Sequence, residues 1–459
     1  MRYYLGNIYI GRVIAAVLLD TAAFVIAALL VWELFAPPFS GLGFGATCVV
    51  GGFACFTLLY YTDAYGLGVL GSGRRTLLSI SVAAGVAAVG ALTAALAVDF
   101  PPGSLETTAR FAGFYAPLLL LGRLVFRAIS TWSRLTRRVL LIGNSDLSRA
   151  IARAVRSRPN LGTQIIGFLS DDLDDQGAWI EGCPVIGRVG ELGKLLEKIE
   201  IDRIVVASKR RDEHFPAEDL LRQKLLATPI YSGVSFYERV TGRIYLRELR
   251  PSYLIFNDGF ALGRFSMAVK RALDISAAVF GLIIAAPIIG LAAVAIKLDS
   301  PGPVFFGQVR VGRGGVPFRV WKLRSMRDDA EKLTGAVWAT GAADDRITRV
   351  GRLIRPARID ELPQLWNVLR GSMSLVGPRP ERPEFVDMLA ERYPYFRARS
   401  AVPPGITGWA QIREGYVNDV EDVEQKLALD FYYLKYRSLG MDLLILWKTI
   451  KTVVLLRGL

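Results

Sequence analysis

Between Arg355 and Glu384 the chain reads Arg-Pro-Ala-Arg-Ile-Asp-Glu-Leu-Pro-Gln-Leu-Trp-Asn-Val-Leu-Arg-Gly-Ser-Met-Ser-Leu-Val-Gly-Pro-Arg-Pro-Glu-Arg-Pro-Glu, which sets two adjacent carboxylates, Asp360 and Glu361, among arginines. Arg355 and Arg358 precede the pair. Pro363 suits a first helical turn and Gly371 a stop, so the spacing predicts a short helix beginning just after the dyad. A helix N-terminus offers unpaired N–H groups and partial positive charge, which favour phosphate and carboxylate alike. Arg379 follows in Gly-Pro-Arg-Pro, which cannot be helical, and a guanidinium held in a stiff loop can grip phosphate through two parallel hydrogen bonds. The natural guest is a polyanion bridged by a cation. Taken alone, adjacent acids beside arginines also describe a solvated ion-pair cluster on a helix surface, so the rest of the chain has to decide.

The remaining chemistry is limited. The one histidine, His214, stands beside Asp212 and Glu213 in a polar loop, which excludes a histidine triad and a zinc site. Cys48 and Cys55 fall in an apolar run and Cys183 in a polar one, with no disulfide framework or metal-ligand spacing. Catalysis has to come from Asp, Glu, Lys, Arg or a hydroxyl. At 459 residues the chain is long enough for several domains; it is 52% hydrophobic with a formal net charge of +14. Nucleic-acid binding would explain the charge but not the apolar runs; an anionic membrane surface or a phosphorylated substrate explains both.

Four apolar segments near residues 12–35, 43–61, 76–98 and 111–127 each approach the roughly 20 residues needed to cross a bilayer. Arg2, Arg12, Arg74, Arg75, Arg123, Arg127, Arg134, Arg137 and Arg138 lie on one side of them, so both ends of this four-helix bundle are expected in the cytoplasm. Asp20, inside the first segment, is expected to face a neighbouring helix or the interface. Residues 131–230 alternate strand and helix signals: Arg138-Val-Leu-Leu-Ile-Gly-Asn-Ser-Asp-Leu-Ser, Ile165-Ile-Gly-Phe-Leu, a helix over Gly190–Glu200, then Ile201-Asp-Arg-Ile-Val-Val. That order implies a parallel sheet in a Rossmann-like α/β domain. The turn at Gly143 lacks the second and third glycines of the dinucleotide fingerprint, and Asp171 and Asp172 read as a solvated turn. Residues 231–268 read as a linker with a short hairpin.

The fifth apolar run, Ala272–Ile296, has basic residues at both ends and Pro287 near its middle. Basic residues at both ends argue against a simple crossing, and a proline kinks a helix, so a segment that dips into the membrane and returns, over 269–298, is the better reading. From 299 to 459 many prolines punctuate short helices, and a mostly helical domain is expected. Trp321, Trp338, Trp409, Phe305 and Phe306 are candidates for a membrane interface, as is the last amphipathic stretch, from Asp430 to the C-terminus.

Three further motifs join the dyad: Lys322-Leu-Arg-Ser-Met, Asp299-Ser-Pro-Gly-Pro-Val-Phe-Phe-Gly-Gln-Val-Arg-Val-Gly and Val402-Pro-Pro-Gly-Ile-Thr-Gly-Trp-Ala-Gln-Ile. From about Lys270 onward the chain resembles the catalytic domain of the bacterial polyprenyl-phosphate sugar-1-phosphate transferases, the monotopic phosphoglycosyl transferases that begin surface glycan assembly. The resemblance implies that Asp360 attacks the β-phosphate of a UDP-sugar, releasing UMP, and that undecaprenyl phosphate then collects the sugar phosphate. It implies Mg²⁺, with Asp360 and Glu361 as the candidate ligands. Consecutive helical residues diverge by about 100°, so one nucleophile and one metal ligand is easier to picture than two equal ligands.

The resemblance further implies phosphate contacts from Lys322, Arg324, Arg355, Arg358 and Arg379; Asp299, Glu381 and Glu384 are candidates to join the metal or to support the arginines. It implies a re-entrant membrane helix broken at Ala286 and Pro287, a homodimer, and a multi-pass protein of the bacterial inner membrane whose catalytic domain lies on the cytoplasmic face. The competing reading is a membrane-tethered regulator or scaffold whose Rossmann-like domain senses a nucleotide. A multi-span transferase of unrelated fold would need many more apolar segments and an aspartate-rich loop.

Overall fold

Alternation of apolar strands with amphipathic helices between Arg137 and Thr241 produces a sheet of six strands: β1 (Arg137–Ile142), β2 (Thr163–Leu169), β3 (Trp179–Ile180), β4 (Cys183–Gly187), β5 (Arg203–Val206) and β6 (Ile230–Ser232). The computed structural model describes residues 7–35, 110–125 apart from 112, 116 and 123, 136–158, 162–208, 215–257 apart from 250, 259–327, 346–414 apart from 394, and 420–454. The chain divides into two compact units, residues 2–240 and 241–459.

In the first unit the sheet order is β3-β4-β2-β1-β5-β6, parallel except where β3 meets β4. Helices α2 (Asp146–Arg156), α3 (Leu192–Lys198) and α4 (Ala217–Leu225) connect the strands, and α5 (Gly233–Thr241) follows β6. Leu140, Ile142, Leu169, Leu192, Ile204 and Leu220 form the core beneath them. The Rossmann-like α/β reading therefore describes this unit. The segment read as a linker with a hairpin is different: residue 230 begins the last strand, and two helices, α5 and α6 (Pro251–Phe256), fall within the remainder. The apolar alternation of Ile230-Tyr-Ser continues the sheet by pairing with β5, and not with a neighbour across a turn.

Toward the N-terminus, α1 (Asn7–Phe35) carries the first expected span, with Asp20 buried on it and Phe24 packed against Phe111 and Tyr115. The second and third expected spans, His214, Trp338 and the first two cysteines lie outside the described residues. Among the described residues one helix is long and apolar enough to cross a membrane: α7 (Arg264–Asp299), 36 residues.

The second unit is built on α7. Asp274, Ala278, Ala285, Ala292 and Ile296 are buried at helical spacing, and Gly281 shares their face, where an added Cβ would stand 3.1 Å from Leu365. Small side chains on the inner face let α9 (Gln364–Arg370) approach closely, while Phe280, Ile283, Leu291 and Leu298 point outward and are exposed. The backbone remains helical through Ala286 and Pro287. Both ends of α7 are fastened to the same unit. Near the start, Lys270 Nζ donates to Asp442 Oδ2 at 2.7 Å. At the other end Arg324, 4% exposed, donates to the carbonyls of Ile296, Ser300 and Pro301.

The domain is more mixed than the mostly helical one expected. An antiparallel hairpin joins β7 (Phe305–Val311) to β8 (Pro317–Leu323), and β9 (Ser374–Val376) pairs in parallel with β10 (Gly405–Thr407). The hairpin turn uses Gly314 and Gly315, both at positive φ, between two runs of aromatic and β-branched residues. Of the expected interfacial aromatics, Phe305 and Phe306 are exposed, but Trp409 is 1% exposed and stacks on Tyr432. The last amphipathic stretch also divides. After α10 (Pro383–Arg392) and α11 (Trp409–Glu414) come α12 (Val420–Tyr436), in which the run from Leu427 to Leu434 is wholly buried, and α13 (Leu439–Val454), which exposes Leu443, Trp447 and Ile450 along one face.

Arg324 satisfies orphan carbonyls at the end of α7 from a position closed to solvent. Arg324→Leu is expected to destabilise the protein by roughly 2–4 kcal/mol, read as a lower unfolding midpoint of the detergent-solubilised chain by circular dichroism. A midpoint unchanged from the parent would show that water replaces the guanidinium.

Candidate functional site

The dyad sits in a single 3-10 turn, Ile359–Glu361, between α8 (Arg349–Ile354) and α9. Arg358 starts that turn in the left-handed region at φ 58°, and Pro363 and Gly371, the latter at φ 86°, bound α9 as their residue types predict. The turn points both acids inward, and Asp360 and Glu361 are 7% and 8% exposed.

The two carboxylates have opposite surroundings. Glu361 Oε1 accepts from Lys322 Nζ at 2.7 Å and from Arg379 Nη2 at 3.1 Å, and Oε2 lies 3.8 Å from Arg358 Nη1. Burial pushes Glu361 up, but Lys322, Arg379 and Arg358 outweigh it and hold the carboxyl well below the usual range. Asp360 Oδ1 is buried with no hydrogen-bond partner. Burial pushes its carboxyl up to about 6, with the Glu361 charge adding to the rise while Lys322, Arg355 and Arg358 oppose it. Asp360 is therefore mostly ionised at neutral pH, yet one of its oxygens is uncommitted. Burial lowers the Lys322 ammonium, with Glu361 opposing.

Position comes from the neighbouring elements. Lys322 projects from β8, whose edge is held by an α9 residue that the sequence reading missed. Asn367 Oδ1 accepts from Trp321 N at 3.1 Å and its Nδ2 donates to Arg319 O at 2.8 Å, so one amide serves two backbone groups of the strand as a neighbouring strand would. Arg271 closes the other end of α9 by donating to Val368 O and Leu369 O. Asn367 stands between Trp366 and Val368 in a helix that also carries Gln364 and Arg370, so the local sequence offers no signal that separates it.

Of the residues expected around the phosphates, the structure brings together Lys322, Arg358 and Arg379, with Arg355 near enough to bias Asp360. It does not bring Arg324, whose guanidinium closes α7. Asp299 Oδ2 accepts from Val350 N in the first turn of α8, and Glu384 is a surface partner of Arg382. Glu381 is partly buried within reach of Lys426, Arg399 and Arg310, which bring its carboxyl down to about 2 against the effect of burial. No cage of three or more acidic, histidine or cysteine side chains occurs among the described residues. Mg²⁺ keeps several waters and takes one or two carboxylates together with substrate phosphates. An orphaned Asp360 oxygen beside Glu361 fits that sparse ligand set.

Residues 265–456 match the bacterial sugar transferase family, and residues 60–214 match a CoA-binding domain. The chain is 47% identical over 214 residues to the UDP-glucose:undecaprenyl-phosphate glucose-1-phosphate transferase of Caulobacter vibrioides, covering 45% of this chain and 79% of that protein. It therefore belongs to the bacterial sugar transferase family. It is 42% identical over 268 residues to the UDP-N-acetylgalactosamine-undecaprenyl-phosphate N-acetylgalactosaminephosphotransferase of Aeromonas hydrophila, covering 57% of this chain and 62% of that one. With the undecaprenyl-phosphate glucose phosphotransferase of Komagataeibacter xylinus it shares 35% identity over 331 residues, 71% of this chain and 60% of the relative. With these last two, the chain spans about three-fifths of the relative's length.

The turn after β1 does not fit the diphosphate of CoA. Ser145 and Ser148 cap the start of α2 reciprocally, Asn144 Nδ2 donates to both oxygens of Asp175, and Ser145 Oγ donates to Ala207 O at 2.6 Å. These groups, which would face a phosphate at the end of the parallel strands, are already partnered within the domain.

Because Asp360 is raised, ionising it costs folding free energy that is fully present above pH about 6 and absent below pH about 4, the ordinary carboxylate value. In chelator-treated protein, Asp360→Asn is expected to raise stability by roughly 1–3 kcal/mol at pH 8, and the gain should vanish as pH falls through that window. Thermal unfolding across pH measures it; a gain that is the same at pH 4 and pH 8 would contradict the burial argument.

Proposed function

We propose that the chain transfers a sugar-1-phosphate from a UDP-sugar to undecaprenyl phosphate, releasing UMP, as the first step in making an exopolysaccharide or another surface glycan. One observation carries the proposal: a buried, ionisable aspartate with an uncommitted oxygen lies beside a glutamate whose charge is held by a lysine and an arginine. The printed activities of the Caulobacter and Aeromonas relatives support it.

In the proposed reaction an Asp360 oxygen forms a bond to the β-phosphorus as the bond from that phosphorus to the bridging oxygen breaks, and UMP leaves with the electron pair. An oxygen of undecaprenyl phosphate then attacks the same phosphorus and displaces the Asp360 carboxylate, leaving a lipid diphosphate sugar. Dividing the transfer in this way needs a nucleophile that is anionic, fixed and shielded from water. Lys322 and Arg379 hold the Glu361 carboxylate where a phosphate would otherwise sit, so an arriving diphosphate exchanges one anion for another at cations already in place. Arg355 and Arg358 add positive charge beside the dyad. Mg²⁺, held by Asp360 and Glu361 once Glu361 is released, would neutralise charge on the phosphoryl oxygens.

The attachment of both ends of α7 to one unit supports a catalytic domain that stays on a single side of the membrane. The proposal puts that side in the cytoplasm, with the outward apolar face of α7 in the lipid and the continuous helix bending at Pro287, not breaking at Ala286 and Pro287, so that it enters the membrane from one side only. It also takes the protein to be a multi-pass homodimer of the bacterial inner membrane.

Purified full-length protein with Mg²⁺, undecaprenyl phosphate and either UDP-glucose or UDP-N-acetylgalactosamine is expected to release UMP. Asp360→Asn should reduce the rate by at least about 10³-fold, and the parent rate should fall as pH drops below about 6. A folded Asp360→Asn variant that turns over at the parent rate would remove Asp360 as nucleophile.

A further inference from the structure

Four consecutive carbonyls in the Gly-Pro-Arg-Pro-Glu loop are each held by a different donor. Pro378 O accepts from Gly405 N at 3.0 Å, Arg379 O from Arg399 Nη2 at 3.0 Å, Pro380 O from Arg310 Nη1 at 3.3 Å, and Glu381 O from Val311 N at 2.9 Å. Two of the four residues are prolines, with φ fixed by their rings. The loop backbone is therefore constrained at every step, and the Arg379 side chain reaches Glu361 from a rigid base.

Arg399 is the donor on the Arg379 carbonyl itself. It lies in the 3-10 turn Phe396–Ala401 and is 5% exposed. Its Nε and Nη2 both donate to Asp430 Oδ2, at 3.0 and 2.6 Å, and its Nη1 lies 3.9 Å from Glu381. Asp430 stands on α12 within the fully buried run of that helix. A chain of contacts thus leads from the core helix through Asp430 and Arg399 to the backbone of Arg379, and from its guanidinium to Glu361. A guanidinium can serve a carboxylate and a carbonyl at once because its donors are fixed in one plane; an ammonium lacks that fork.

We propose that Arg399, oriented by Asp430, is a positioning residue for Arg379: it touches no substrate and acts by fixing the carbonyl from which the phosphate-gripping side chain is suspended. The proposal rests on the reading of Arg379 as a phosphate ligand in the transfer reaction. Buried charge pairs can be purely structural, so the distinguishing property is coupling. If Arg399 acts through Arg379, removing Arg379 leaves it nothing to do.

The test uses the full-length chain with undecaprenyl phosphate and UDP-glucose or UDP-N-acetylgalactosamine, followed by UMP release. The variants are Arg379→Ala, Arg399→Lys, Arg399→Gln and the doubles of each with Arg379→Ala. Arg399→Lys keeps a cation opposite Asp430 and Glu381, so it serves where Arg399→Gln fails to fold. Either folded single variant at Arg399 is expected to lose about 10- to 100-fold in kcat/KM for the donor. Each double should lie within about threefold of Arg379→Ala alone. Losses that multiply in the double, or a parent-like kcat/KM in Arg399→Lys, would overturn the proposal. A parent-like Arg379→Ala would overturn it too while leaving the role of Asp360 standing, whereas no release by the unaltered chain would overturn the reaction itself and this proposal with it.

Discussion

Two neighbouring carboxylates cannot both be taken out of water unless cations are buried with them, and the catalytic unit is arranged around that requirement. A lone charge in a low-dielectric site is expensive. The strand that supplies Lys322 and the loop that supplies Arg379 both end at one oxygen of Glu361. The cations serve one acid far better than the other. Two residues adjacent in sequence thereby acquire carboxyls on opposite sides of their ordinary range, Asp360 raised to about 6 and Glu361 depressed. Pairs of acids driven apart by their surroundings are how one site obtains two distinct roles from one residue class.

The positive charge of the chain has a second use that composition does not suggest. Arg271 holds the last carbonyls of α9, Arg324 those at the end of α7, Arg310 and Arg399 two carbonyls of the proline-rich loop, and Arg413 the carbonyl of Thr241. A domain of short helices and stiff turns leaves many backbone oxygens without regular partners, and a planar cation with several donors can satisfy two at a time. Part of the net charge of +14 is therefore internal to the fold and not presented to phosphate or lipid.

Where local rules govern, the sequence could be read. Pro363 and Gly371 bound α9, strand and helix alternate through the first unit, and the clustering of Lys322, Arg358 and Arg379 on the dyad agrees with the motifs that contain them. The failures share a cause, which is that tertiary placement was inferred from residue type. Arg324 is two positions from Lys322 in the same motif, yet it points to a helix end because β8 stops at Leu323. Trp409 and the aromatic run in α12 resemble membrane anchors in composition and are core in fact. Asn367 and Arg399 escaped notice because nothing in the local sequence separates a buried Asn or Arg from an exposed one. The strands of the second unit were obscured by the prolines and glycines around them, although the β7–β8 turn carries its glycines where a hairpin needs them.

The small-residue face of α7 bears on how the catalytic half can be handled. Ala278 belongs to the same cluster as Val320, Val368 and Met373, and Ala292 and Ile296 to that of Leu323 and Ile354. The helix that looks most like a detachable anchor thus contributes one wall of the interior on which β8 and α9 rest. A water-soluble fragment cannot be obtained by starting the chain after Asp299, since both clusters would open to solvent. It would have to retain the helix and exchange only the outward Phe280, Ile283, Leu291 and Leu298 for polar residues, changing the solvent the helix faces and leaving the fold it supports.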